Sequence, residues 1–153
     1  MSDRKGILAF DPGKGGGLAL LRPNGSVSLR PWTVEHELLD LVDSLDPASY
    51  EAVIEDVPAF VSAATSNASS FKLGYNFGFL VGVCRATGFS THLIKPKEWQ
   101  KGLSGLKANM GYTARKRQLK DNAIRLYPDL KVTNATADAV LIMDCWRKKT
   151  WKV

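Results

Sequence analysis

The sequence predicts an α/β protein built on a mixed five-stranded sheet, and three features carry that expectation. Three short apolar runs open the chain, separated only by turn residues, as in an antiparallel meander. Two further strand-like runs follow, each set off by a stretch with helical spacing of apolar residues. The resulting order, β-β-β-α-β-α-β-α-α, is that of a layered α/β domain with helices flanking the sheet.

The elements follow in turn. Gly6–Asp11 (GILAFD) is an apolar run ending in a carboxylate and a Pro12-Gly13 turn, hence a buried strand. Gly17–Leu21 resumes the strand pattern after a glycine-rich bend, and Asn24-Gly25 signals a tight hairpin into Ser26–Arg30. Thr33 is placed to cap a helix whose apolar positions are Val34, Leu38, Leu41, Val42 and Leu45. Ala52–Ile54 forms the core of a fourth strand, with Glu55 and Asp56 at its end. A long helix runs from about Ser69 to Thr87, and Ser90–Ile94 is a fifth strand halted by Lys95-Pro96-Lys97. Lys101–Tyr112 lacks periodicity and reads as a flexible loop. A basic helix from Thr113 to about Leu126 and a last helix from Thr136 to Lys148 complete the chain.

Gly74, Gly78 and Gly82 recur every four residues, so they form one stripe along the long helix. Each glycine weakens a helix by up to about 1 kcal/mol relative to alanine, so something should pack closely there. Two candidates are the central sheet and a second copy of the chain.

Composition sets the outer limits. With 153 residues and 44% hydrophobic content, the chain fits a single globular domain, residues 1–153. No apolar run is long enough to span a bilayer, and the charged N-terminus lacks a signal-peptide core. Cys84 and Cys145 offer neither zinc spacing nor a disulfide framework, which suits a cytoplasmic protein. The net charge of +6 is divided unevenly: residues 1–90 carry −3 and residues 91–153 carry +9. That asymmetry points to a polyanionic partner met by C-terminal elements, or more plainly to a solvated basic surface.

Three carboxylates stand beside apolar runs, where a core opens to solvent: Asp11, Glu55 and Asp138. If the first and fourth strands are neighbours, Asp11 and Glu55 project close together, and the last helix brings Asp138 in. Crowded carboxylates repel unless a cation intervenes, and oxygen ligands without His or Cys suit Mg²⁺ or Mn²⁺. Two such ions about 3.5–4 Å apart serve phosphodiester hydrolysis. Each acid also has a structural reading, Asp11 as a turn former and Asp138 as a charge favourable to a helix N-terminus. The loop DPGKGGG is not a Walker phosphate loop, because Gly15 follows Lys14 where Ser or Thr is required. Actin-like ATPases open similarly but need two such domains, so no nucleotide cofactor is expected.

ILAFDPGKGGGLALL, then AVIEDVPAF, a glycine-containing helix and TADAVLIMDCW together resemble, in order and spacing over about Gly6 to Trp146, the RuvC family of Holliday-junction resolvases. Small resolvases of phages and chloroplasts are at least as similar. The resemblance implies an RNase H-like fold and a homodimeric, Mg²⁺-dependent endonuclease that nicks four-way DNA junctions in pairs. Asp11, Glu55 and Asp138 match its metal-binding acids. A fourth carboxylate, common in the family just before the last aspartate, is absent; Asn134 and Ala135 stand there, leaving the Asn134 amide oxygen or Asp56 as substitutes. Asp144 lies about 240° around the helix from Asp138 and should face elsewhere.

The family also sets lysines near the scissile phosphate, and Lys97, Lys107 and above all Lys116 are the local candidates. Arg115, Lys116, Arg117 and Lys120 form the densest cationic patch, and Arg147-Lys148-Lys149 with Lys152, Trp146 and Trp151 a second. Phe60 suits either a wedge against unstacked bases or the core. His36 and His92 have no assigned role. Two other readings remain: a nuclease of hybrid or otherwise branched nucleic acid, and a catalytically silent junction-binding module.

Overall fold

The computed structural model describes residues 3–33, 35–58 and 64–152; Val34 and Phe60 lie outside them. Among these residues five strands form one sheet in the order β3-β2-β1-β4-β5. The strands are β1 (Gly6–Phe10), β2 (Gly17–Leu21), β3 (Val27–Pro31), β4 (Tyr50–Glu55) and β5 (Ser90–Ile94). β1 pairs antiparallel with β2, and β2 with β3, while β4 runs parallel to both β1 and β5. The mixed sheet is the one the sequence predicts. β1 and β2 are buried throughout, which is why they read as unbroken apolar runs. Edge strand β3 is half exposed and ends in Pro31, where no ladder donor is needed.

The helices are α1 (Glu35–Ser44), α2 (Asn67–Ala86), α3 (Pro96–Trp99), α4 (Tyr112–Leu126) and α5 (Ala137–Thr150). Strand alternation sorts the core into two layers. Ile7, Ala9, Ala19, Leu21 and Val53 pack against α4 and α5 through Leu119, Ala123, Val140 and Met143. Leu8, Phe10, Leu18, Leu20, Ala52 and Ile54 pack on the other face against Leu38, Val42, Leu80 and Cys84 of α1 and α2.

Four expectations change. After β5 the chain turns directly into α3, because Pro96 suits the first helical position as well as it stops a strand. The glycine stripe does not pack on the sheet: a Cβ added at Gly74, Gly78 or Gly82 would meet open space, and Leu80 and Cys84 supply the buried side of α2 instead.

The third change concerns 101–112, a tethered segment and not a loose one. Asn122, fully buried on α4, accepts from the Ser104 N–H at 3.1 Å and donates to the Ser104 carbonyl at 2.9 Å. Arg125 donates to Ser104 Oγ at 2.7 Å, and Leu103 and Leu106 pack against the α4–α5 core. Polar residues thus fix a segment that shows no apolar period.

Fourth, the C-terminal cationic patch is consumed internally. Arg147 and Lys148 bind buried Asp144 at 3.0 and 2.7 Å, and Lys149 pairs with Glu98. Trp146 donates to Glu51 at 3.0 Å and Trp151 to the Lys5 carbonyl at 2.9 Å, so both indoles fasten the last helix to the sheet. Asp144 does face away from Asp138, as its helical phase requires.

Replacing Asn122 with alanine removes the acceptor of the Ser104 N–H, while the Ser104 carbonyl keeps the Gln118 amide at 2.9 Å, and should destabilise the protein by about 1–3 kcal/mol. Chemical denaturation measures this, and amide exchange should quicken first across residues 101–111.

Candidate metal centre

The register of β1 and β4 builds half of the site. Phe10 lies beside Ile54 in a parallel pair, so the next residues, Asp11 and Glu55, are neighbours across about 4.8 Å of sheet. Both fall on the same face as Ala9 and Val53, the face that α5 covers. Asp11 is pinned through its backbone: its N–H donates to Gly17 O at 3.0 Å and its carbonyl accepts from the Trp32 indole at 2.8 Å. One carboxylate oxygen of Asp11 accepts from the Gly13 N–H at 3.0 Å. The loop itself demands glycine, since a Cβ on Gly16 would lie 2.0 Å from Asp11 O and Gly15 has φ +65°.

The third acid arrives through a close approach. A Cβ on Gly17 would lie 2.3 Å from the Ala135 carbonyl and 2.8 Å from Thr136 Cα. The bare start of β2 therefore admits the N-terminus of α5, whose second residue is Asp138. Asp138 is only 6% exposed; its Oδ2 takes the Lys116 ammonium at 2.6 Å, while its buried Oδ1 has no partner. Glu55 is held by the Trp99 indole, which donates to Oε2 at 2.9 Å.

Crowding shows in the acidities. Burial first, then the charge of Asp138, raise Asp11 to about 6 despite the Gly13 N–H and Lys116. Burial, then Asp11 and Asp138, raise Glu55 to about 7 against the opposing pull of Trp99 and Lys116. Burial alone would lower the pKa of Lys116, but Asp138 and then Asp11 outweigh it and raise it, so the ammonium stays charged. An unsatisfied carboxylate oxygen and two carboxyls that resist ionisation together describe a place short of positive charge. That is a fit for a divalent cation with oxygen ligands. Among the described residues no three acidic, His or Cys side chains already form a ligand set.

The site opens into a cleft of about 830 Å³ lined by Lys14, Tyr112, Lys116, Arg117, Lys120 and Asn134, among others. A smaller recess of about 190 Å³ adjoins it between Glu55, Trp99, Arg115 and Asp138. The structure thus gathers Asp11, Glu55, Asp138, Lys116, Arg117, Lys120 and Asn134. Arg115 lies at the edge, turned to Gln100 at 2.7 Å and the Lys107 carbonyl at 3.2 Å. Lys97 and Lys107 are exposed but line neither cavity, nor does Asp56, which alternation puts on the opposite face from Glu55.

Sequence reasoning did not assign Trp99, Lys14 or Tyr112 to the site. Pro96 opening a turn of helix was the available signal for Trp99. Lys14 was visible only as a failed nucleotide loop, although the same glycines set it at the cleft.

Neither a family model nor a curated protein matches the sequence. Solved structures do match in fold. RuvC from Thermus thermophilus in complex with a Holliday junction substrate superposes with a TM-score of 0.58 at 11% identity, over 94% of this chain and 95% of that one. A second Thermus thermophilus RuvC structure gives 0.60 at 12% identity, over 95% and 97%.

The raised acidities carry a pH signature. Where a carboxyl binds its proton more tightly folded than unfolded, stability falls as pH rises from the unfolded value through the folded one. Without divalent ions, Asp11→Asn should match the wild type near pH 4 and become progressively more stable than it through about pH 6, levelling off above. Thermal melts across that range in EDTA check the sign. The arrangement of sheet and helices is that of the RuvC structures.

Proposed function

We infer that the protein is a metal-dependent endonuclease that resolves four-way DNA junctions. The observation that carries this reading is the convergence of Asp11, Glu55 and Asp138 where a cationic cleft meets a smaller recess, with one buried carboxylate oxygen unpartnered among the described residues. The RuvC fold supports it, since one matching structure is a complex with a Holliday junction. Mg²⁺, or Mn²⁺ in its place, held by Asp11, Glu55 and Asp138, would supply Lewis-acid neutralisation of a phosphodiester when bound. In hydrolysis a water oxygen bonds to phosphorus, the bond to the leaving oxygen breaks, and that oxygen gains a proton.

The chain's own groups divide the remaining work. Trp99 fixes one Glu55 oxygen and so orients the carboxylate, with Oε1 outside that bond. Lys116, charged and close to Asp138, is placed to neutralise negative charge building on the phosphate. Lys14, Arg117 and Lys120 line the cleft where DNA phosphates would run, and Tyr112, 78% exposed, offers a ring on which an unpaired base can stack. Lys97 and Lys107 would serve as outer phosphate contacts, and Asn134 as a neutral ligand at the rim. Phe60, five residues after Glu55 in the sequence, would serve as a wedge against unstacked bases. Residues 1–153 would act as one nuclease domain in the cytoplasm.

A twofold substrate calls for two sites, and α2 offers the face for a C2 dimer. Its glycines leave a smooth surface beside Phe71, 76% exposed, and Tyr75. Among the described residues nothing packs against the three glycines to offset the helix weakening, whereas a second copy would.

Two measurements test the reading. With Mg²⁺, labelled four-way junctions should receive symmetric paired nicks while duplex and RNA–DNA hybrid do not. EDTA should abolish cutting, and Asp11→Asn should lower it by ~100-fold or more. Preferential cutting of the hybrid would shift the substrate class, and tight binding without nicks would leave a junction-binding module. By sedimentation the wild type should be a dimer and Gly78→Glu a folded monomer, because a side chain there meets nothing within the protomer. A monomeric wild type ends the dimer proposal.

A further inference from the structure

We propose that Lys116 occupies the place of a second metal ion, so that each site works with one divalent cation and one built-in ammonium. The inference rests on the nuclease reading above and concerns how this chain's residues share a single ligand. Asp138 is divided between two cations by geometry. Its Oδ2 is committed to Lys116 at 2.6 Å, and its Oδ1, sealed from solvent and without a hydrogen-bond partner, is left for a metal. A carboxylate bridging two metal ions would need both oxygens.

Ligand supply agrees. Ahead of α5, Asn134 has only a neutral amide to offer, and Ala135 has no side-chain donor. The Ala135 carbonyl, moreover, is the atom against which Gly17 closes. The remaining acid at the cleft, Asp121, is exposed on α4 and stands on a different element from the three acids. Charge agrees as well. One divalent ion and one ammonium balance three carboxylates, whereas two divalent ions beside the same ammonium would leave a strong excess before any phosphate arrived. Lys116 stands on α4, whose Leu119 and Ala123 pack into the core, so its backbone is held within reach of Asp138.

Mn²⁺ is the probe, counted by its paramagnetic resonance signal in the full-length protein, alone and saturated with a four-way junction. Wild type should bind one Mn²⁺ per chain with an uncoupled spectrum, and Lys116→Arg should behave alike. Lys116→Met, which keeps the packing and drops the charge, should take up a second ion and show the spin coupling of a close pair. A coupled pair in the wild type overturns the inference while leaving the nuclease reading in place. A single ion in Lys116→Met also overturns it, since ligand number alone would then set the count. No tight site in the wild type would instead remove the metal-dependent reading beneath it.

Discussion

The molecule turns on how closely the N-terminus of α5 can approach the start of β2. A methyl group at Gly17 would collide with the backbone of Ala135 and Thr136, and backbone cannot swing aside as a side chain can. With glycine there, the first turn of α5 settles against the sheet and delivers Asp138 to the acids at the ends of β1 and β4. The same contact places a negative side chain near a helix N-terminus, where the dipole favours it. Fold and site are therefore not separable at this point. The residue that lets the layers close is also the one that sets the third acid.

That closure creates a conflict that the apolar core must hold. Three carboxylates with little solvent oppose one another, and Lys116 relieves only part of the repulsion. What keeps them together is the burial on either side. β1 and β2 are enclosed by both layers, and Ala137 to Met143 are buried almost without interruption along α5. Each buried aliphatic side chain contributes about 1.5–3 kcal/mol, enough in sum to hold a locally unfavourable cluster. Indole donors do the fine positioning, Trp32 on the Asp11 carbonyl and Trp99 on Glu55. These aromatics bury a large apolar body and bring one N–H each to the acids, which suits a site at the boundary of core and solvent.

Much of this was legible from the sequence, for reasons of period and punctuation. The strands at Gly6–Phe10, Gly17–Leu21 and Ser90–Ile94 coincide with their apolar runs, and the acids Asp11 and Glu55 were placed because each ends such a run. What was not legible depends on contacts between elements. Whether a glycine stripe faces in or out follows from which side of α2 meets the sheet, and a hydrophobic period weakened by glycines, Phe71 and Tyr75 does not decide it. The tether of 101–112 runs through Asn122, 18 residues downstream of Ser104, and a polar hub leaves no apolar trace. Trp99 reads as an isolated aromatic until α3 turns it back towards Glu55.

Charge shows the limit of composition most clearly. The C-terminal half is strongly basic, yet its cations are unequal in what they can offer a polyanion. Arg147 and Lys148 neutralise a buried aspartate, Lys149 meets Glu98, and Arg125 braces Ser104. Arg115 is spent on Gln100 and the Lys107 carbonyl. The cleft is instead lined by α4, with Lys116 and Lys120 one turn apart and Arg117 beside them, joined across the gap by Lys14 from the acidic half of the chain. Helical phase separates their roles: Lys116 shares the side of α4 that carries Leu119 and Ala123 and so reaches Asp138, while Arg117 and Lys120 lie off that side. The electrostatic pull on nucleic acid follows from this short line of side chains and not from the net charge. Because the line leads to Asp138, the element that attracts phosphate is also the element that sets a cation among the acids.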